Sequence, residues 1–132
     1  MKRLIVAGCV TAMAVLLSAC QTEPIYEAKH PIIVASGPMV TNQRVETAIK
    51  AALENEKWTI ESVTPGKIVA KWHRHATRWA LVSITYDAKT FSTHLESSFE
   101  LYQENGQIHA SYNQAIHELE DRITSNLNLT KG

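Results

Sequence analysis

Three observations predict an α+β domain built as a two-layer sandwich. Apolar residues recur at helical spacing just after Thr41, the period changes to two from Trp58, and helical spacing returns in a C-terminal segment ending near Leu127. The expected order is helix, four-stranded antiparallel meander, helix, with both helices covering one face of the sheet.

The first helix starts at Thr41 or Asn42, since either side chain can accept from the orphan backbone N–H groups of a first turn. Val40 and Val45 are spaced as a hydrophobic staple if Thr41 is the cap. Val45, Ala48, Ile49, Ala52 and Leu53 share one stripe, while Arg44, Glu46, Lys50 and Glu54 fall elsewhere. Four strand-like runs follow: Trp58–Val63, Lys67–Arg74, Arg78–Tyr86 and Phe91–Tyr102. Thr64-Pro65-Gly66, His75-Ala76-Thr77 and Asp87-Ala88-Lys89-Thr90 separate them, and connections this short imply antiparallel neighbours. Alternation assigns Trp58, Ile60, Ile68, Ala70, Trp72, Ala80, Val82, Ile84, Tyr86, Phe91, Leu95, Phe99 and Leu101 to the inward face. Lys71, His73, Ser83, Thr85, His94 and Glu96 fall on the wet one. Trp58 and Trp72 then oppose each other across the first hairpin as a core pair. Asn105-Gly106 marks a turn, and Tyr112, Ala115, Ile116, Leu119 and Ile123 form the stripe of the last helix, with Glu118, Glu120, Asp121 and Arg122 outside it.

Ahead of this domain, Lys2 and Arg3 precede an apolar run from Leu4 to Leu17 that ends in Leu17-Ser18-Ala19-Cys20. A basic start, a short apolar core and small residues before a cysteine form a bacterial lipoprotein signal, too short to span a bilayer, which takes ~20 apolar residues. In lipoproteins the cysteine thiol carries a diacylglyceryl group, the preceding peptide is removed and the new N-terminus is acylated, and several chains anchor a protein stably. Residues 1–19 are thus expected to be the signal peptide, and residues 20–40 the lipidated Cys20 with a tether. Residues 41–132 form the single domain. Pro24, Pro31 and Pro38 suit a tether that lifts the domain off the membrane, although Ile32-Ile33-Val34 could add an edge strand. Gln21 after the cysteine, in place of Asp, favours the outer membrane facing the periplasm if the organism is Gram-negative, by resemblance to enterobacterial sorting.

Thirteen basic residues, two of them lost with the signal, stand against 13 acidic ones, a balance that argues against wholesale nucleic-acid binding. With Cys9 removed and Cys20 lipidated, no disulfide is expected within the mature chain, so a packed core must hold it.

Candidate sites are few. His73 and His75, two apart on a strand, could present two imidazoles to a metal. His94 lies about 13 Å along and about 9.6 Å across from them at ordinary strand spacings, which leaves at most a weak site and no expected cofactor. Lys71, Arg74 and Arg78 make the central hairpin basic, and Trp79 on its open face adds a contact anchor. These four are the expected binding residues, suited to lipid phosphates, anionic wall polymer or an acidic partner. His109 precedes the last helix with Ser111 behind it, but no strained Gly-x-Ser-x-Gly turn accompanies it, and its imidazole is expected to bond to the helix start or to a sheet-end carbonyl.

Thr64-Pro65-Gly66-Lys67-Ile68-Val69-Ala70, the strand end Ile84-Thr85-Tyr86, and Ile108-His109-x-x-Tyr112-Asn113 with Leu119 and Ile123 carry a resemblance. The stretch from Trp58 to Leu127 resembles a group of small bacterial lipoproteins of unknown function. This chain has Ala115 where similar proteins tend to have Trp, and Ser97-Ser98-Phe99-Glu100-Leu101 where they tend to have Asp-Ser-x-Asn-Leu. The resemblance implies the signal and the fold and no activity. The expectation is a membrane-anchored, non-enzymatic binding or scaffold domain. The rival is a small hydrolase or metal-dependent enzyme using His109 or His73 and His75, which would need a concave pocket converging on those rings.

Overall fold

The computed structural model describes residues 21–33 and 39–129; the expected signal peptide, residues 1–19, and Cys20 lie outside them. In chain order the elements are β1 (Thr22–Pro24), β2 (Lys29–Pro31), α1 (Asn42–Asn55), β3 (Thr59–Thr64), β4 (Lys67–His75), β5 (Arg78–Tyr86), β6 (Thr90–Phe99), β7 (Gln107–His109) and α2 (Ala110–Leu129). A five-stranded antiparallel sheet runs β2-β6-β5-β4-β3, and β1 pairs with β7 in a separate two-stranded ribbon. The architecture is α+β as expected, with one more strand in the main sheet than the four-stranded meander. No helix among the described residues is long and apolar enough to cross a membrane.

Thr41 is the cap of α1, its Oγ1 accepting from Arg44 N at 3.1 Å. At the other end Lys57 adopts φ 64°, and Trp58 N donates to Leu53 O at 2.8 Å, so the chain reverses into β3 without a glycine. Pro65-Gly66 closes the β3–β4 hairpin with Gly66 at φ 80°, the left-handed position a tight turn requires of the residue after proline. Asn105 and Gly106 both have positive φ, and Glu104 and Gln107 exchange backbone hydrogen bonds around them.

One buried cluster joins Val45, Ile49 and Leu53 of α1 and Tyr112, Ile116, Leu119 and Ile123 of α2 to Ile68, Ala70, Ala80, Val82, Ile84 and Phe91 of the sheet. Trp58 and Trp72 meet across β3 and β4 with ring centroids 6.5 Å apart.

Two expectations need correction. Phe99, assigned inward by alternation, is 49% exposed. The register slips at Glu96, because Leu81 pairs with Ser97 while Val82 pairs with Leu95, and the extra residue turns everything after it to the opposite face. Phe99 therefore sits opposite Trp79 on the open face, its ring stacked 6.1 Å away.

The described part of the tether, residues 21–33, is the second. It is not a free spacer. β1 pairs with β7, Ile25 N donates to Gly106 O at 2.9 Å, β2 pairs with β6, and Ile32 N donates to Lys89 O at 2.7 Å. The edge strand forms at Lys29–Pro31, just before the Ile32-Ile33-Val34 run, of which Val34 lies outside the described residues.

Candidate functional site

The expected binding residues start from one hairpin but divide between two faces. His73 pairs with Trp79 and His75 with Arg78, so Arg74 is an extra residue in β4. Trp79 and Arg78 are neighbours on β5 and point oppositely, and so His73 and His75 do not share a face. That removes the spacing on which the metal candidate rested. Among the described residues no group of three His, Cys, Asp or Glu could hold a metal ion. His94 lies elsewhere, with its Nδ1 2.7 Å from a Glu27 oxygen.

On the open face Lys71 Nζ stands 4.4 Å from the centre of the Trp79 ring and 3.8 Å from Glu61 Oε1. Trp79 is half-buried between Lys71 and Phe99. Arg74 and Arg78 instead reach round the end of the sheet toward β7. Arg74 Nη1 lies 3.2 Å from Nε2 and 3.5 Å from Nδ1 of His109, and the Arg78 guanidinium lies 5.9 Å from the centre of the Tyr102 ring. Tyr102 and His109 are in turn 6.1 Å apart. Neither arginine has a carboxylate within 4.0 Å among the described residues.

His109 occupies the position before α2 where Ser, Thr, Asp or Asn ordinarily sits. Its Nδ1 accepts from Ser111 N at 3.1 Å and lies 2.8 Å from Ser111 Oγ. A neutral ring has one acceptor nitrogen, for the Ser111 N–H or for Arg74, and a protonated ring has none. Burial, followed by the charges of Arg74 and Arg78, accordingly pushes the imidazole below its ordinary value. The Ser111–His109 contact has the length of a nucleophile–base pair. A guanidinium, however, stands where such a pair needs a carboxylate, and it opposes the imidazolium that a general base must become.

The loop joining β6 to β7 completes this corner. Glu100 and Tyr102 have φ of 53° and 56°, two non-glycine residues in the left-handed region within three positions. Tyr102 is 56% exposed, and an open depression of about 560 Å³ runs between Arg78, Ser98, Glu100, Leu101, Tyr102 and Gln103. The corner is thus a shallow surface of two guanidiniums and two rings with the Glu100 carboxylate at its rim, and its guanidiniums are the groups that could hold an anion against ring faces.

A second polar cluster has no counterpart in the sequence expectations. Glu120, placed outside the α2 stripe, is 5% exposed. Its Oε2 lies 2.8 Å from His30 Nε2 and accepts from Thr93 Oγ1 at 3.2 Å. Tyr26 Oη stands 3.3 Å from that same His30 nitrogen, and the Tyr26 ring packs 4.1 Å from that of His117. Burial first, then Glu120, raises the Tyr26 phenol above its ordinary value. Acid and phenol share one ring nitrogen, so His30 cannot pass a proton from one to the other through opposite sides of its ring. The cluster closes residues 26–30 onto α2 and β6. Nearby Tyr112 Oη is buried with no hydrogen-bond partner among the described residues, and burial raises its phenol strongly.

No protein-family model matches this chain, and no curated protein matches it.

Proposed function

We propose that this chain is a lipid-anchored protein of the bacterial envelope, held through Cys20 and facing the periplasm, whose α+β domain is a non-enzymatic module that binds an anionic group. One observation carries the binding half. Arg74 and Arg78 converge on His109 and the exposed Tyr102, and no carboxylate among the described residues lies within 4.0 Å of either guanidinium. Two guanidiniums aimed at rings and held in no ion pair among the described residues offer forked donors for a phosphate or carboxylate, with the Glu100 carboxylate at the rim of the same depression. The non-enzymatic half rests on the sign of the charge beside His109, which disfavours the protonated ring. The anchoring half rests on the Leu17–Cys20 motif alone.

Titrating the full chain with inorganic pyrophosphate while following the ring resonances of His109 and Tyr102 tests the site. Saturable shifts are expected at both, lost in an Arg74→Gln/Arg78→Gln variant and weakened steeply by added salt. Silence at these rings, or shifts indifferent to the two arginines, would overturn the binding site.

A further inference from the structure

We infer that the corner formed by Arg74, Arg78 and Tyr102 rests on the bilayer that holds Cys20, with the guanidiniums facing lipid headgroup phosphates. This rests on the reading of Cys20 as the lipidated residue and names the anion as part of the anchoring membrane itself.

The path of the chain carries the inference furthest. Gln21 O accepts from Ala110 N at 2.9 Å, and Thr22 pairs with His109 in the β1–β7 ribbon. Cys20 is the next residue, and consecutive Cα atoms stand about 3.8 Å apart across a trans peptide. An acylated Cys20 would therefore enter the bilayer within a residue of backbone fastened to the start of α2. No spacer separates anchor from domain, and the surface around His109 must lie near the headgroups.

The chemistry of that surface matches what it would meet. Arg74 is 3.2 Å from His109, and Arg78 stands over Tyr102. At a spacing comparable with the Debye length of about 8 Å, salt does not erase the attraction of such charges for phosphates. Tyr102 and Phe99 are 56% and 49% exposed, large rings that the core does not claim, with Trp79 stacked behind Phe99. Rings with one apolar and one wet side suit the depth of the headgroups. Glu100 and Glu104 on the same loop oppose an anionic surface, but neither lies within 4.0 Å of either arginine.

The test uses the acylated full chain in vesicles of phosphatidylethanolamine and phosphatidylglycerol that carry a headgroup-spin-labelled lipid. An indole is placed at the corner itself by Gln103→Trp, beside Tyr102 in the depression lined by Arg78, and its emission is taken as the difference between that variant and the parent. Quenching of that contribution is expected, at least twofold stronger than when Arg74→Gln and Arg78→Gln are added, and reduced in phosphatidylcholine vesicles. An unquenched corner indole in vesicle-bound, acylated protein would overturn the inference. If pyrophosphate still shifted His109 in that case, the site would take a soluble anion or wall polymer and the binding reading would stand. A mature N-terminal peptide from cells whose mass shows no acyl chain would instead sink the lipoprotein reading, and this inference with it.

Discussion

His109 links local structure to charge within one side chain. Its ring caps α2, and burial, then the charges of Arg74 and Arg78, lower its affinity for a proton. Because its pKa is depressed in the folded state, the unfolded chain binds a proton near pH ~6.5 that the folded chain still refuses. Stability from this group is thus complete above ~6.5 and is lost as pH falls from there toward the depressed value. His109→Asn keeps an oxygen acceptor for the Ser111 N–H and removes the titration. The thermal midpoint of the parent should fall between pH 7 and pH 5 more steeply than that of His109→Asn. Parallel slopes in melts across that range would show that this proton is not linked to folding. The role was half legible beforehand: a histidine directly before a helix suggests a bond to its start. The two arginines beside it were not, because the extra residue at Arg74 has no mark in a strand that otherwise alternates.

At the scale of elements, the docking of β1 depends heavily on Asn113. Its Oδ1 accepts from Tyr26 N at 3.0 Å, and its Nδ2 donates to Glu23 Oε1 at 3.0 Å and to Pro24 O at 2.9 Å. One side chain thus ties α2 to both ends of the Glu23–Tyr26 segment. Asn113→Ala removes three hydrogen bonds to groups that solvent can partly reach, each worth about 0.5–1.5 kcal/mol net. Hydrogen exchange at the Ile25 and Tyr26 amides should accelerate well beyond the change at Val82 or Ile84 in the central strand; uniform acceleration would show that the segment does not open by itself. Helices and central strands were legible because their periods are regular and their faces unmixed. Three single-residue slips, at Glu61, Arg74 and Glu96, were not, and the last of them moved Phe99 from the core to the surface. The strands of residues 22–31 were hidden for another reason. Each is three residues long and ends in proline, so neither shows an alternation to read.

Across the whole molecule, Glu120 joins elements far apart in the chain. It sits on α2 four residues after Ile116 and three before Ile123, on a stripe with Asn113 and Leu127, and all five side chains are buried. Its spacing therefore predicts burial, and its charge argued the reverse until β2 brought His30 to it. His30 and Thr93 hold its Oε2 from β2 and β6, so one carboxylate couples the sheet edge, the second helix and the segment leading toward Cys20. Losing hydrogen bonds to a charged group costs about 1.5–3 kcal/mol, a sizeable part of the ~5–15 kcal/mol that holds a domain of this kind. Glu120→Ala should lower the unfolding free energy from denaturant melts by that order, and His30→Ala by less, since His30 is part-exposed and Thr93 still bonds the acid. In the double variant the two losses should fall short of their sum, because the contact they share can be broken only once. The Ile32 amide, bonded to Lys89 O, should exchange faster in all three variants while the β4–β5 amides track global stability. Strict additivity in the denaturation cycle would mean that His30 and Glu120 act separately, and that β2 is held to the sheet by its backbone pairing with β6 alone.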